Sequence, residues 1–293
     1  MTHLFPSLTS QSVAKFYDQT WVGARINWLN EKNLALHLGY WDEKTQNHSE
    51  SLLNMNRIMA SQAVIRSGER VLDAGCGFGG TTLWLAETYS AHVTGINLSG
   101  DQIRRAKHYS RKRCLENQVA FEQKNYLKTD FLNNSFDVIW AQESICHAEN
   151  QQMFLQEAYR ILKPGGRLII EDCYLFNRTY SDSDKKLLQT WFSNLFTPKL
   201  PTSEQFINWA EESGFRQITL ENISSYVAPS YERIKRMLVL GYPLAAILRA
   251  LRLYSDMQYR YTCGMRAQQK AFQKGLWFVG LCLAHKPSET TVA

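Results

Sequence analysis

The chain has 293 residues, of which 44% are hydrophobic and 20% are charged. This composition is typical of a folded globular protein and excludes a disordered or collagen-like chain. The length suits one large α/β domain, with or without an insertion. The formal net charge of +6 favours an anionic small molecule or a membrane surface as a partner. We expect no nucleic-acid partner, because the basic residues at 104–113 are spread around a predicted helix.

The cysteines and the apolar stretches indicate in which cellular compartment the protein is expected. The six cysteines form no CxxC pair and no spacing typical of a zinc site or a disulfide framework, so we expect reduced thiols and no metal. The N-terminus lacks the basic start and apolar core of a signal peptide. The most apolar later stretch, 237–253, falls short of the ~20 apolar residues that span a bilayer. We therefore expect a cytoplasmic protein without a transmembrane segment, and peripheral membrane contact and homo-oligomer formation stay open.

Predicted strands and helices alternate from residue 70 onward. Short, near-continuous apolar runs predict strands at 70–74, 92–96, 119–122, 136–141, 167–172, 217–220 and 276–285. Helical patterns occur at 81–89, 100–115 and 151–162. Apolar strands of this kind belong to a mostly parallel sheet that is covered by helices on both faces.

Two segments outside this alternation are predicted to be helical. An N-terminal helix around residues 16–18 belongs to a predicted cap at 1–60, which precedes the main domain at 61–293. The segment 231–273 is about twice as long as a simple crossover requires, and its apolar positions recur at helical intervals between basic residues. We interpret it as a lid that closes over the acceptor, the substrate that receives the transferred group. A helix packed permanently in the core and a helix resting on a membrane surface are the alternatives.

A glycine-rich turn follows the first strand, in the sequence VLDAGCGFGG at 71–80. Glycine is needed where the chain turns sharply and where the backbone approaches a ligand. The spacing of Gly75, Gly77 and Gly80 also fits the dinucleotide pattern GxGxxG, which alone is weak. Asp73 favours a different cofactor, because a carboxylate there would repel a pyrophosphate and attract the positively charged amino-acid end of S-adenosylmethionine.

The same loop, together with SFDVIW at 135–140 and RILKPGGRL at 160–168, resembles the class I S-adenosylmethionine-dependent methyltransferases. The motifs have the order and intervals of that family, and the resemblance covers about residues 60–175. It implies a Rossmann-like α/β fold with a mostly parallel seven-stranded sheet, and S-adenosylmethionine as the cofactor.

The resemblance also implies a set of cofactor-binding residues. Asn97 stands where the family usually has an acidic residue for the ribose hydroxyls, and Asn125 stands where it has an aspartate near the adenine. An amide can still exchange hydrogen bonds with a diol. The candidate set is Asp73, Gly75, Gly77, Gly79, Asn97, Leu98, Gln102, Asn125, Tyr126 and Gln142.

Two further motifs, LHLGYWD at 36–42 and ESICHAEN at 143–150, resemble the sterol, tocopherol and terpenoid C-methyltransferases and their cyclopropane-forming relatives. ESICHAEN follows the fourth strand, at the edge of the sheet where α/β enzymes carry their chemistry. The candidate catalytic residues are Glu143, His147, Tyr17 and His37. For Glu143 and His147, direct proton removal and an indirect hydrogen-bonding role both stay open. Glu171 and Asp172 either face the crevice or cap a helix.

Aromatic residues are concentrated in the predicted cap, namely Tyr17, Trp21, Trp28, Tyr40 and Trp41. Attack by a carbon–carbon double bond on the methyl group leaves a carbocation, which aromatic faces stabilise and a base must quench. This favours methyl transfer to a lipophilic small molecule, at carbon of a terpenoid, prenyl diphosphate, sterol or prenylated quinol. The alternatives are O- or N-methylation of a phenolic or alkaloid product, and a non-catalytic partner protein with the same fold.

Overall fold

The computed structural model describes residues 9–27 and 33–288, with side chains at 9–20 and 33–288. The strands are β1 Arg70–Ala74, β2 His92–Asn97, β3 Val119–Gln123, β4 Phe136–Gln142, β5 Leu162–Leu175, β6 Arg216–Asn222 and β7 Trp277–His285. The helices are α1 Ser10–Asn27, α2 His48–Gln62, α3 Gly80–Tyr89, α4 Gly100–Lys112, α5 Gln151–Ile161, α6 Asp182–Leu195, α7 Ser203–Glu212, α8 Ser224–Ala250 and α9 Asp256–Gln273.

The seven strands form one sheet in the order β3-β2-β1-β4-β5-β7-β6. Only β7 runs against its neighbours, pairing antiparallel with both β5 and β6, so the predicted mostly parallel sheet is confirmed. The chain moves outward from β1 to β3 and then returns to place β4 on the other side of β1. In open α/β sheets a crevice forms at the carboxyl ends of the strands where the order reverses, and here this point lies between β1 and β4.

Alternate side chains of the central strands enter two separate apolar cores. Val71 and Val138 belong to one core, which also contains residues of α1, α6, α8 and α9. Leu72 and Ile139 belong to the other core, together with residues of α5 and α7. Because successive strand residues point to opposite faces, strands that are apolar throughout require helices on both sides. This is the layered arrangement that the apolar strands predict.

The structure differs from the predicted elements in several places. Helices α2, α6 and α7 are additional, and β5 begins at Leu162 because Phe136 of β4 pairs with it before the register shifts. The predicted helical segment 231–273 consists of two helices, α8 and α9. A capping box at Ser255, formed with Gln258, starts the second helix. No helix in the described part of the chain is long and apolar enough to cross a membrane.

Candidate active site

A cavity opens at the carboxyl ends of β1, β2 and β4, with about 810 Å³ of space between protein atoms, its open mouth included. Eight of the ten predicted cofactor-binding residues line it: Asp73, Gly75, Gly77, Asn97, Leu98, Gln102, Tyr126 and Gln142. Leu34, Ala35 and Leu36 also line this cavity; Leu36 opens the LHLGYWD motif, whereas no motif pointed to Leu34 or Ala35.

The glycines of the turn have different tasks. Gly75 has φ +97°, and a Cβ atom there would lie 2.4 Å from Cβ of Ser144. Gly77 has φ +52° and faces the cavity, where only Leu36 would contact its Cβ, at 3.5 Å. Gly79 does not line the cavity, since its Cβ would lie 2.7 Å from the ring of Phe121. Gly79 therefore allows the turn to pack on β3, and Gly77 leaves room for a ligand.

Asp73 lies at the end of β1 and is almost completely buried at the cavity wall. Thr82 Oγ1 donates a hydrogen bond to its Oδ2 over 2.6 Å. Burial raises the pKa of Asp73 to about 6, and the hydrogen bonds from Thr82 oppose this shift. A cationic ligand beside it would favour the carboxylate form, because an opposite charge lowers the pKa of an acid.

Two polar atoms of the cavity wall have no hydrogen-bond partner among the described residues. His37 uses its Nδ1–H to donate to the Leu38 carbonyl over 2.9 Å, and its buried Nε2 is left as an acceptor. Burial lowers the pKa of His37 to about 4, so the ring is neutral. Gln142 accepts from Thr81 Oγ1 over 3.1 Å, and its buried Nε2 is left as a donor.

Such unpaired buried groups cost free energy unless a ligand satisfies them. S-adenosylmethionine carries an ammonium, a carboxylate, ribose hydroxyls and an adenine. Its donors and acceptors match the carboxyl of Asp73, the acceptor of His37 and the donor of Gln142. The residues present therefore fit this cofactor.

The two asparagines at the predicted nucleoside contacts are in different positions. Asn97 lines the cavity and donates from Nδ2 to Gln102 Oε1 over 2.8 Å. Asn125 does not line the cavity. It donates to Ser10 Oγ over 3.1 Å and accepts from the Leu127 N–H over 2.9 Å. Asn125 thus holds the first turn of α1 against the sheet.

A second cavity lies behind the first, with about 780 Å³ of space between protein atoms, open solvent included. Its wall comes from α1, α6, α8, α9 and the ends of β4 and β5. Five of its residues are aromatic: Phe16, Tyr17, Trp191, Tyr231 and Tyr261. Among the described residues of its wall, Glu143 is the only Asp, Glu, Lys or Arg, so the cavity suits an apolar ligand.

The aromatic residues of this cavity are mostly not those that the sequence predicted. Tyr40 stacks on Tyr226 with a centroid distance of 4.3 Å, and Trp41 Nε1 donates to Ser230 Oγ over 3.0 Å. Both residues pack the 39–41 loop on α8 and line neither cavity. Trp28 and the side chain of Trp21 lie outside the described residues.

The two cavities meet at four residues that line both: Tyr17, Leu36, Glu143 and His147. Three of the four predicted catalytic residues are therefore at the junction, and His37 lines the first cavity only. A group that bridges the two cavities would pass beside these side chains.

Tyr17 and His147 form a hydrogen-bonded pair at the junction. A carbonyl can only accept, so His147 donates from Nδ1 to the Phe196 carbonyl over 3.0 Å. Its Nε2 must then accept from the Tyr17 O–H, over 2.7 Å. Burial lowers the pKa of His147 and raises the pKa of Tyr17, so both side chains are neutral. The pair fixes the Tyr17 oxygen at the junction.

Glu143 directly follows β4 and has φ +44°, a left-handed conformation that is uncommon for a residue with a side chain. The Leu38 N–H donates to its carboxyl group, and its own N–H donates to the Glu171 carbonyl over 2.8 Å. Burial raises the pKa of Glu143 to about 8, against the hydrogen bond from Leu38. Backbone strain of this kind tends to be kept at functional sites.

Two further buried carboxyls lie behind Glu143. Asp172 accepts from the Cys146 N–H over 3.0 Å and from the Cys173 N–H over 2.8 Å, and so holds the short 3-10 turn Ile145–His147. Glu171 is fully buried, and neither carboxyl oxygen has a hydrogen-bond partner among the described residues. Burial, with the nearby Glu143 and Asp172, raises the pKa of Glu171 well above its ordinary value. In the part of the chain that the structure describes, no group of three or more His, Cys, Asp or Glu side chains is placed to hold a metal ion.

Comparison with known proteins identifies the family. Residues 65–214, just over half of the chain, match the family described as "Methyltransferase domain". The chain belongs to this methyltransferase family. It is an S-adenosylmethionine-dependent methyltransferase.

Relatives of this methyltransferase act on different atoms. The 27-O-demethylrifamycin SV methyltransferase of Amycolatopsis mediterranei is 29% identical over 68% of this chain and 72% of its own length. The sterol 24-C-methyltransferase of Pneumocystis carinii is 32% identical over 64% of this chain and 50% of its own. The fold is also similar to that of geranyl diphosphate C-methyltransferase from Streptomyces coelicolor, solved in complex with Mg²⁺, geranyl diphosphate and S-adenosyl-L-homocysteine. The TM-score is 0.71 at 15% identity, and the match covers 96% of this chain and 100% of the other.

The first prediction concerns Gly77. Gly77→Val adds a branched side chain to a left-handed residue at the cavity wall, and we expect the affinity for S-adenosylmethionine to fall by about tenfold to a hundredfold in calorimetry. Gly165→Val is the matched control, because Gly165 has φ +75° and no atom within 4 Å of its Cβ position. It carries similar backbone strain away from the cavity. Equal loss of affinity in both variants would contradict the assignment.

The second prediction concerns the buried carboxyls. Glu171 stays protonated in the folded chain while the unfolded chain ionises, so folding stability falls as the pH rises above the ordinary carboxyl range. Glu171→Gln keeps the size and shape of the side chain but cannot ionise, so it removes this loss of stability at high pH. One pKa unit is about 1.4 kcal/mol, or roughly 2–4 °C in Tm for a protein of this size. We therefore expect the Tm of Glu171→Gln to increase relative to that of wild type as the pH rises from 5 to 9.

Glu211→Gln, at an exposed carboxyl, serves as the control and should leave the pH dependence of Tm unchanged. If Tm changed with pH in the same way for wild type and Glu171→Gln, the pKa of Glu171 would not be raised in the folded protein, and the prediction would be wrong.

Proposed function

We propose that this methyltransferase transfers the methyl group of S-adenosylmethionine to a carbon atom of a lipophilic small molecule held in the second cavity. The observation that carries the proposal is the junction of the two cavities, where an apolar, aromatic chamber meets the cofactor site at Glu143, Tyr17 and His147. Two chambers joined at a titratable residue are the geometry that direct transfer between two bound molecules requires.

The cofactor, when bound, supplies an electrophilic methyl group on a sulfonium. The chain then has to align the two reactants and exclude water. Alignment falls to the walls of the two cavities, and Leu36 lines both. Helix α1 covers the junction, since Asp18 accepts a hydrogen bond from Ser99 Oγ and Glu149 accepts one from the Ser10 N–H.

Aromatic faces and Glu143 provide the chemistry that carbon methylation requires. Attack by a double bond leaves a positive charge on the acceptor, and the aromatic side chains of Phe16, Trp191, Tyr231 and Tyr261 line that space. The carbocation must then lose a proton. Glu143 has a pKa of about 8, so its carboxylate is a stronger base than an ordinary one.

Tyr17 has a positioning role in this scheme. Its O–H is committed to His147 Nε2, so its oxygen can present only lone pairs to the junction. An oxygen held in this way stabilises positive charge without needing to ionise, which is consistent with the raised pKa of Tyr17. His147 acts through Tyr17 and through its bond to Phe196.

The acceptor class is a terpenoid, prenyl diphosphate, sterol or prenylated quinol. The similarity to the sterol 24-C-methyltransferase and the geranyl diphosphate C-methyltransferase supports carbon as the methylated atom. O-methylation of a natural product is the second candidate, which the 27-O-demethylrifamycin relative favours. In that case Glu143 would take the proton of a hydroxyl group, and no cation-stabilising wall would be needed.

A screen of acceptors separates these candidates. Prenyl diphosphates, sterols, prenylated quinols and phenols are offered with methyl-labelled cofactor, and the position of the label is read by mass spectrometry. We expect a carbon-bound label on a lipophilic acceptor. A label found only on oxygen or nitrogen would overturn the carbon proposal.

The third prediction is the role of Glu143 as a base. In wild type, kcat/KM should rise with pH and level off above about 8, because the carboxylate is the active form. Glu143→Gln should lower turnover by about 10²–10⁴ and abolish this rise, with cofactor affinity nearly unchanged in calorimetry. Loss of cofactor binding in parallel with turnover would indicate a structural role instead.

A further inference from the structure

The distal half of α8 carries an apolar stripe that the protein does not bury. Leu240, Leu244, Ile247 and Leu251 recur at spacings of four, three and four residues, which places them on one helix face. Val239 lies beside this face and Leu253 lies in the turn after α8, and all six side chains are between 54% and 77% exposed. We call these six residues the α8 stripe. None of them lines the second cavity.

Cations dominate the surroundings of the stripe. The sequence from 233 to 253 contains Arg233, Lys235, Arg236, Arg249 and Arg252 and no acidic residue. Carboxylates stand only at its two ends, where Glu232 pairs with Lys235 and Asp256 pairs with Arg249. Arg236 and Arg252 are exposed beside the stripe. Large exposed apolar side chains edged by positive charge mark an interaction surface.

The same helix pair forms the wall of the second cavity at its other end. Tyr231 and Ile234 of α8, and Tyr261 and Met265 of α9, line that cavity. The stripe begins only five residues beyond Ile234 in the same helix, or about 7 Å along its axis. The two helices thus connect an exposed apolar surface with the chamber that we assign to the acceptor.

We propose that the α8 stripe docks this methyltransferase on the surface of an anionic lipid bilayer, with its apolar side chains in the interface and its cations against the lipid headgroups. The stripe is amphipathic but cannot span a bilayer, which is the pattern of helices that lie in the interface plane. Each basic residue near such a surface adds to its attraction for anionic headgroups.

Charge decides between a bilayer and a second copy of the chain. A two-fold dimer would bring the same surface of both chains together. The exposed Arg236 and Arg252 of one copy would then lie against those of the other, and like charges across an interface oppose association. An anionic bilayer offers the complementary charge and an apolar interior at the same place.

Docking at the bilayer would give a lipophilic acceptor a route to the second cavity along α8 and α9 without passage through water. This consequence depends on the proposed function, whereas docking itself does not. The two are therefore measured separately.

The fourth prediction tests docking with the full chain in vesicle flotation. We expect binding to vesicles of mixed phosphatidylglycerol and phosphatidylcholine, much weaker binding to pure phosphatidylcholine, and loss of affinity as salt is added. Leu240→Ser/Leu244→Ser/Ile247→Ser should lower the affinity for the anionic vesicles by about tenfold or more, since less apolar area enters the interface. Arg236→Glu/Arg252→Glu should lower it selectively at low salt.

The matched control is Val64→Ser/Leu132→Ser/Met153→Ser, which removes three exposed apolar side chains elsewhere on the surface and should bind vesicles like wild type. All variants should keep their Tm and their affinity for S-adenosylhomocysteine, because the substituted residues are exposed. No binding of wild type to anionic vesicles, or equal loss in the control, would overturn the proposal.

Two results separate docking from neighbouring hypotheses. A wild-type dimer in sedimentation without vesicles, converted to a monomer by the triple stripe variant, would assign the stripe to a second copy and overturn docking. Vesicle binding without methyl transfer to any lipophilic acceptor would contradict the proposed function and leave docking intact. Methyl transfer to an acceptor in solution without vesicle binding would overturn docking and leave the proposed function intact.

Discussion

The buried carboxyl group of Glu143 is the point on which the arrangement of the site depends. It lies where β4 ends, in a left-handed conformation, and it accepts a hydrogen bond from the backbone of Leu38. That bond ties the segment before α2 to the carboxyl edge of the sheet, so that Leu36 and His37 close over the glycine turn. The same residue lines both the first cavity and the aromatic second cavity, at the place where they meet. One contact thus shapes both chambers.

Burial gives this site an unusual electrostatic character. His37 and His147 are neutral because desolvation lowers their pKa values, and Glu143 and Glu171 hold their protons because desolvation raises theirs. These four side chains therefore contribute little formal charge to the site at neutral pH. The positive charge of a bound cofactor would be strongly felt in such surroundings, since a low effective dielectric constant screens weakly. An apolar acceptor fits the same surroundings.

Helices α8 and α9 serve two environments. Their proximal parts pack into the core, where Tyr231 stacks on Phe272 at 4.1 Å and contacts Trp277 edge-on. The distal part of α8 carries apolar residues into solvent. A helix whose only task was to cover the cavity would bury these residues. Their exposure is the reason to look for a partner surface.

Local patterns in the sequence were enough to predict the sheet and the glycine turn, and they pointed to eight of the residues that line the first cavity. A buried strand and a glycine turn can each be recognised from a few consecutive residues. The order of the motifs along the chain then indicates which strands have their carboxyl ends at the crevice. The sequence also pointed to Tyr17, Glu143 and His147, but only the tertiary structure brought them to one junction. Helices α2, α6 and α7 have caps that local reading can miss, such as the capping box of Thr202 and Gln205.

Long-range packing decided the rest. The aromatic wall comes mainly from Trp191, Tyr231 and Tyr261, which lie far from the aromatic cluster near the N-terminus, while Tyr40 and Trp41 pack on α8 instead. The apolar positions of 231–273 showed a helical face but not what it touches. Periodicity records which residues share a face, whereas burial depends on the elements that fold against it. For this reason only the tertiary structure could show that Ile234 faces the cavity and that Leu240 and Leu244 face the solvent.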